Sequence, residues 1–132
     1  MQQEDSCLCR PAPTLIFACS GAADTGEIAD RAARRLHAER AGVMYCLAGI
    51  GGRVSGIVKS TEAAARVLAI DGCQLDCARR TLELAGMTGF GHLRVTDLGL
   101  IKGKTDITPE RIQQVVDSAR AVLNDEQKEG PR

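Results

Sequence analysis

From residue 14 the chain repeats one pattern: a short apolar run, a turn of glycine and small residues, then a segment whose apolar positions recur every three or four residues. Short apolar runs read as strands and the periodic segments as amphipathic helices, so the pattern predicts βα units on a largely parallel sheet. The first unit is TLIFAC, residues 14–19, followed by a helix. In that helix Ile28, Ala32 and Leu36 step along one face while Arg31, Arg34, Arg35 and Glu39 point away. Asp24 with Glu27 three residues on predicts an acidic capping box, and Gly42 a left-handed helix stop.

The second unit is VMYCLAGIGGRVSG, residues 43–56, with a modest helix around residues 60–65. Gly49, Gly51, Gly52 and Gly56 predict a flexible loop there, able to let backbone approach a ligand closely. RVLAIDGC, residues 66–73, predicts a third strand, apolar enough for a sheet centre covered on both faces. The helix after it places Leu75, Ala78, Leu82 and Ala85 on one side and ends at Gly86. HLRVTDLGL, residues 92–100, predicts a fourth strand, and residues 101–110 a loop. Thr108 as N-cap and Pro109 as first helical residue open the last helix, whose apolar face is Ile112, Val115, Val116, Ala119, Val122 and Leu123. The expected architecture is a single-domain α/β fold over residues 13–125. It is a three-layer sandwich in which a mostly parallel sheet of about four strands carries helices on both faces, Rossmann-like and doubly wound. Residues 1–12 and 126–132 read as flexible polar tails.

Composition narrows the function. An apolar content of 44% in 132 residues suffices for one hydrophobic core. Lys and Arg, 17 together, balance 17 Asp and Glu, and one Tyr and two Phe leave little to stack on bases, so nucleic acid is not an expected partner. No apolar run approaches the roughly 20 residues of a membrane span, and the opening MQQEDSCLCR is too acidic and polar for a secretory signal. The reading is a cytoplasmic protein. In a reducing compartment six cysteines point to metal ligands or catalytic thiols rather than structural disulfides.

Four of them fall into the repeat. Cys19 ends the first strand, Cys46 the second and Cys73 the third, at equal intervals of 27 residues, and Cys77 follows one helical turn later. The C-terminal ends of parallel strands share one edge, where loops form the binding crevice. The four thiols can therefore converge on a metal. Four thiolates suit a tetrahedral zinc site; iron or an iron–sulfur cluster accepts the same ligands and is the lesser expectation. The helix N-terminus at Cys73 and Cys77 favours the thiolate form.

Other readings compete. Any one of these cysteines alone reads as an ordinary core residue. Cys73 and Cys77 could form a redox pair, although redox motifs usually space their cysteines by two residues. The stretch CSGAADTG resembles the nucleophile loop of cysteine phosphatases and arsenate reductases, but the arginine that class needs six residues after the cysteine is Thr25 here. GIGGRVSG lacks the Lys-Ser/Thr ending of a phosphate-binding loop. His37 and His92 read as surface or packing histidines away from the cysteine edge. Asp71 and Asp97 end strands on that edge and could orient ligands or bind a substrate cation. Cys7 and Cys9 read as incidental.

Together CSGAADTGEIADRAA, MYCLAGIGG, AIDGCQLDCARRTLE and VTDLGLIK, spanning about residues 14–124, resemble the DGC-domain family, bacterial and archaeal proteins to which zinc binding is ascribed. The resemblance implies that Cys19, Cys46, Cys73 and Cys77 correspond to the family's shared cysteines, and it implies zinc as the partner. It carries no settled activity. The expectation is a zinc-binding protein of open biochemical role, the alternative a thiol-redox or zinc- or thiolate-dependent enzyme acting on a small molecule. A metal ion, and possible small-molecule ligand, are the expected partners.

Overall fold

The computed structural model describes residues 12–128. The elements run β1 (Thr14–Ala18), α1 (Asp24–Ala38), β2 (Val43–Met44), α2 (Leu47–Gly51), α3 (Ser55–Glu62), β3 (Arg66–Asp71), α4 (Cys77–Leu84), β4 (Gly91–Arg94) and α5 (Pro109–Lys128). All four strands are parallel, in the order β2-β1-β3-β4. This is the expected α/β sandwich.

Because successive strand residues face opposite sides, the central apolar strands feed two cores. Ile16, Ala18, Leu68 and Ile70 pack under α1 and α5, against Ile28, Ala32, Leu36, Val115, Val116 and Ala119. Leu15, Phe17, Val67 and Ala69 pack under α2 and α4, against Ile50, Ala78 and Leu82, with Ile57 and Val58 of α3 at the margin. Thr108 caps α5 as its sequence predicts, accepting from the Arg111 N–H at 3.2 Å.

Several local expectations give way to tertiary partners. Asp24 makes no capping box. Its Oδ1 accepts from the N–H groups of Thr25 at 2.7 Å and Gly103 at 2.8 Å, its Oδ2 from Thr105 at 3.0 Å, and Glu27 pairs with Arg31. Those backbone bonds hold the Asp24 carboxyl below its ordinary range and fasten the 101–105 loop to the start of α1. The left-handed residue after α1 is Arg40, at φ +63°, not Gly42. Gly42 is small for another reason: a Cβ there would lie 2.7 Å from Ile16 Cδ1.

The glycine stretch after β2 is not a flexible loop but two short helices joined at Arg53, itself left-handed at φ +57°. Arg53 donates to the Ile50 carbonyl at 2.8 Å and to Leu84 O at 2.9 Å, closing α2 and docking it on the end of α4. Gly49 is buried, with no room for a Cβ beside Ile57. The helix expected at 60–65 is α3, which begins five residues earlier. Leu75 precedes α4 and is 57% exposed, so it is not part of that helix's apolar face. The fourth strand stops at Arg94 because its last ladder partner is Asp71, the end of β3; residues Val95–Leu98 then form a 3-10 turn that buries Val95.

Candidate thiol site at the sheet edge

The connection after β1 leads to one edge of the sheet and the chain later returns to β3 on the other side of β1. The order therefore reverses between β1 and β3, and parallel sheets open a crevice at the C-terminal ends of such a strand pair. Cys19 follows β1 at that point and the Gly72-Cys73 turn follows β3. The two are joined directly: Cys19 N donates to the Ile70 carbonyl at 3.0 Å, and Gly72 N to Cys19 Sγ at 3.3 Å.

Gly72 has no alternative residue without movement. A Cβ there would lie 2.7 Å from Gly26 N and 2.8 Å from the Thr25 carbonyl carbon, both backbone of the first turn of α1. Gly26 is equally tight against the Gly21 carbonyl, 2.6 Å from where its Cβ would be. These backbone contacts bring the β1–α1 loop and the β3–α4 loop together.

Asp71, the last residue of β3, sets the position of α4. It is 1% exposed, and its Oδ1 accepts from Ala78 N at 2.7 Å while Oδ2 accepts from Arg79 N at 3.1 Å. It thus supplies the helix cap that Asp76, at the N-cap position, does not. His92 of β4 also bonds Asp71 Oδ2, at 2.9 Å through Nε2. Asp76 adopts a left-handed backbone, φ +56°, and is gripped by Arg94 through two bonds of 2.7 Å. That bidentate pair holds the Asp76 carboxyl below its ordinary range and the Arg94 guanidinium above its own.

Among the described residues, the ligand-type atoms that gather within 4.8 Å of one another are those of Asp71, Asp76 and His92, not the thiols. Their acceptors are already used by a helix terminus, an arginine and an imidazole. This cluster orients the Cys73–Cys77 segment. Asp76 and Arg94 carried no local motif; the available signal was an arginine ending an apolar strand beside a helix start. His92, expected away from the cysteine edge, instead reaches it by holding Asp71 through Nε2. Asp97 sits on the 3-10 turn, exposed, 3.5 Å from Arg94 Nη1.

The four cysteines of the repeat lie around two adjoining cavities. Cys19, Cys73 and Cys77 line one of about 330 Å³, together with Lys102 and the first turn of α1. Cys46 lines the other, of about 930 Å³, which it shares with Cys19. Burial pushes the Cys19 thiol up against the opposing pull of the Gly21 and Gly72 N–H groups, with Asp71 and Cys77 also raising it. Cys73 Sγ lies 3.5 Å from Lys102 Nζ. Cys77 is exposed at the first position of α4. Cys46, also exposed, caps α2, its Sγ accepting from Gly49 N at 3.3 Å. All four are free thiols. Cys7 and Cys9 lie outside the described residues.

The larger cavity is a groove beside α1, open because β2 is an edge strand of only two residues. His37 lines it, contrary to the expectation that it lies away from the cysteine edge, and its Nδ1 accepts from Met44 N at 2.9 Å. Tyr45, Met44 and Leu47 give the groove an apolar wall. Asp30, bonded by Ser20 and Arg34 at 2.7 Å each, gives it a polar one.

The donor set fits a soft divalent metal. A tetrahedral thiolate shell at about 2.3 Å requires sulfur separations near 3.8 Å, closer than these thiols stand, so a metal held by all four would draw the loops inward. Three features of the smaller cavity favour the negative charge such a shell carries: the N-terminus of α1, the Lys102 ammonium and the buried Thr25 hydroxyl, which has no hydrogen-bond partner. Thr25 occupies the position where a phosphatase-type loop carries arginine, so an oxyanion clamp is lacking at that place.

The DGC domain family model matches residues 15–119. The anaerobic and virulence modulator AnvM of Pseudomonas aeruginosa is 36% identical over 88 residues, 67% of this chain and 67% of AnvM. No solved structure matches.

Proposed function

The chain belongs to the DGC domain family, and on that premise we propose that it binds one zinc ion through the thiolates of Cys19, Cys46, Cys73 and Cys77. The observation that carries this reading is the delivery of four free thiols, from three separate segments, to adjoining cavities at the β1/β3 crevice. Zinc, when bound, supplies charge compensation among the thiolates and a cross-link between the loops. The chain's own groups prepare for it. Gly21 and Gly72 N–H groups point at Cys19 Sγ, Lys102 faces Cys73, and Asp71 fixes the start of the helix that bears Cys77.

AnvM is named a modulator. For this chain we carry over a modulating role, in which metal occupancy sets the arrangement of the three thiol-bearing loops and so the surface they present.

Elemental analysis of protein purified anaerobically under reducing conditions tests the metal. About one equivalent of zinc is expected, lost in Cys73→Ser and kept in Cys7→Ser. Less than about half an equivalent of any transition metal, with no uptake on adding Zn²⁺, refutes the proposal.

A further inference from the structure

We propose that the four thiols are unequal: Cys19, Cys73 and Cys77 hold the metal, while Cys46 occupies an exchangeable fourth place that a low-molecular-weight thiol can take from the larger cavity. This rests on the zinc reading above and deepens it.

The first argument is placement. Cys19, Cys73 and Cys77 line one cavity, and Cys46 meets them only across Cys19, which both cavities share. A metal held by the first three would be reached by Cys46 from the side of the 930 Å³ groove.

The second argument is anchoring. Cys19 is fixed to β3 through its backbone N–H and its sulfur. Cys77 opens a helix capped by Asp71, and the Cys73 carbonyl accepts from Asp76 N at 3.2 Å. Cys46 instead follows a two-residue strand at the edge of the sheet, while Cys19 and Cys73 follow its two central strands.

The third argument is the character of the groove. It offers an apolar wall at Tyr45 and Leu47 and polar groups at His37, Asp30 and Arg34. A small thiol with polar or charged substituents suits both. The exchange involves no oxidation. The incoming thiol releases its proton to solvent as its sulfur binds, and the departing Cys46 thiolate takes one up.

Cobalt reads out this difference, since thiolate-to-Co²⁺ charge-transfer absorption grows with the number of bound sulfurs. Cys46→Ser is a clean variant because a serine oxygen also caps α2. With a phosphine as the only reductant, Cys46→Ser is expected to bind one equivalent of Co²⁺ within about tenfold of wild-type affinity, while Cys73→Ser and Cys77→Ser lose at least about a hundredfold. Adding 2-mercaptoethanol to Co²⁺-loaded Cys46→Ser is expected to raise its charge-transfer absorption by about a third, from three sulfurs to four. If Cys46→Ser loses metal as severely as Cys73→Ser, or its spectrum ignores the added thiol, the inequality is overturned while zinc binding stands. Failure of wild-type protein to take up Co²⁺ or Zn²⁺ at all overturns both.

Discussion

Replacing Asp71 by alanine removes one buried carboxylate from three partners at once. The Ala78 and Arg79 N–H groups at the start of α4 lose their acceptor, and so does His92 Nε2. Loss of a helix cap costs about 1–2 kcal/mol, and loss of a hydrogen bond to a charged group about 1.5–3 kcal/mol. Asp71 is 1% exposed, so solvent replaces the carboxylate poorly. Taken together the loss is roughly 3–4 kcal/mol. For a chain of this size each kcal/mol lowers the melting temperature by about 3–4 °C, so Asp71→Ala is expected to melt roughly 10–15 °C below wild type. Far-UV circular dichroism melts at pH 7, with urea titration for the free energy, measure both. Asp71→Asn keeps a carbonyl for one N–H and is expected to lose about half as much. An Asp71→Ala protein melting within about 3 °C of wild type would refute the account of how α4, and with it Cys77, is positioned.

Two further tests address neighbouring features. Arg94 depresses the folded-state pKa of Asp76, so the stability this pair contributes is present above the unfolded carboxylate value near 3.9 and is lost as pH falls through the lower folded value. Wild-type melting temperature should therefore fall below about pH 4, and Arg94→Ala should show a shallower fall over the same window; matching acid profiles would count against the pair. Gly49→Ala is expected to destabilise by about 1–3 kcal/mol because its Cβ meets Ile57, whereas Gly56→Ala, with nothing within 4 Å and inside α3, is expected to be neutral or to stabilise by up to about 1 kcal/mol. Equal urea midpoints for the two variants would restore the flexible-loop reading of that stretch.

Much of the fold was legible because its causes are local. Ile28, Ala32 and Leu36 recur at the helical period, and α5 announces its start through Thr108 and Pro109 and its buried face through Val115, Val116 and Ala119. The strands betray themselves as apolar runs, since both faces of β1 and β3 are covered. Given parallel βα units, the placement of Cys19, Cys46, Cys73 and Cys77 at a common edge follows from their spacing alone.

What escaped the sequence depends on partners far along the chain. Asp24 looks like half of a capping box until Gly103 and Thr105 present their N–H groups to it. Asp76 and Arg94 are 18 residues apart, and nothing local pairs them. The glycines after β2 suggest mobility, yet packing against Ile57 and the reach of Arg53 to Leu84 turn the stretch into two helices. Residue order along the chain therefore determined which segments become strands and helices and to which edge the thiols go, because periodicity and turn chemistry act over a few residues. Only the tertiary structure decided that Asp71 caps α4, that His37 reaches the groove, and that three thiols share one cavity while Cys46 opens on the next. Those outcomes depend on how close the packed elements come, a distance no stretch of sequence contains.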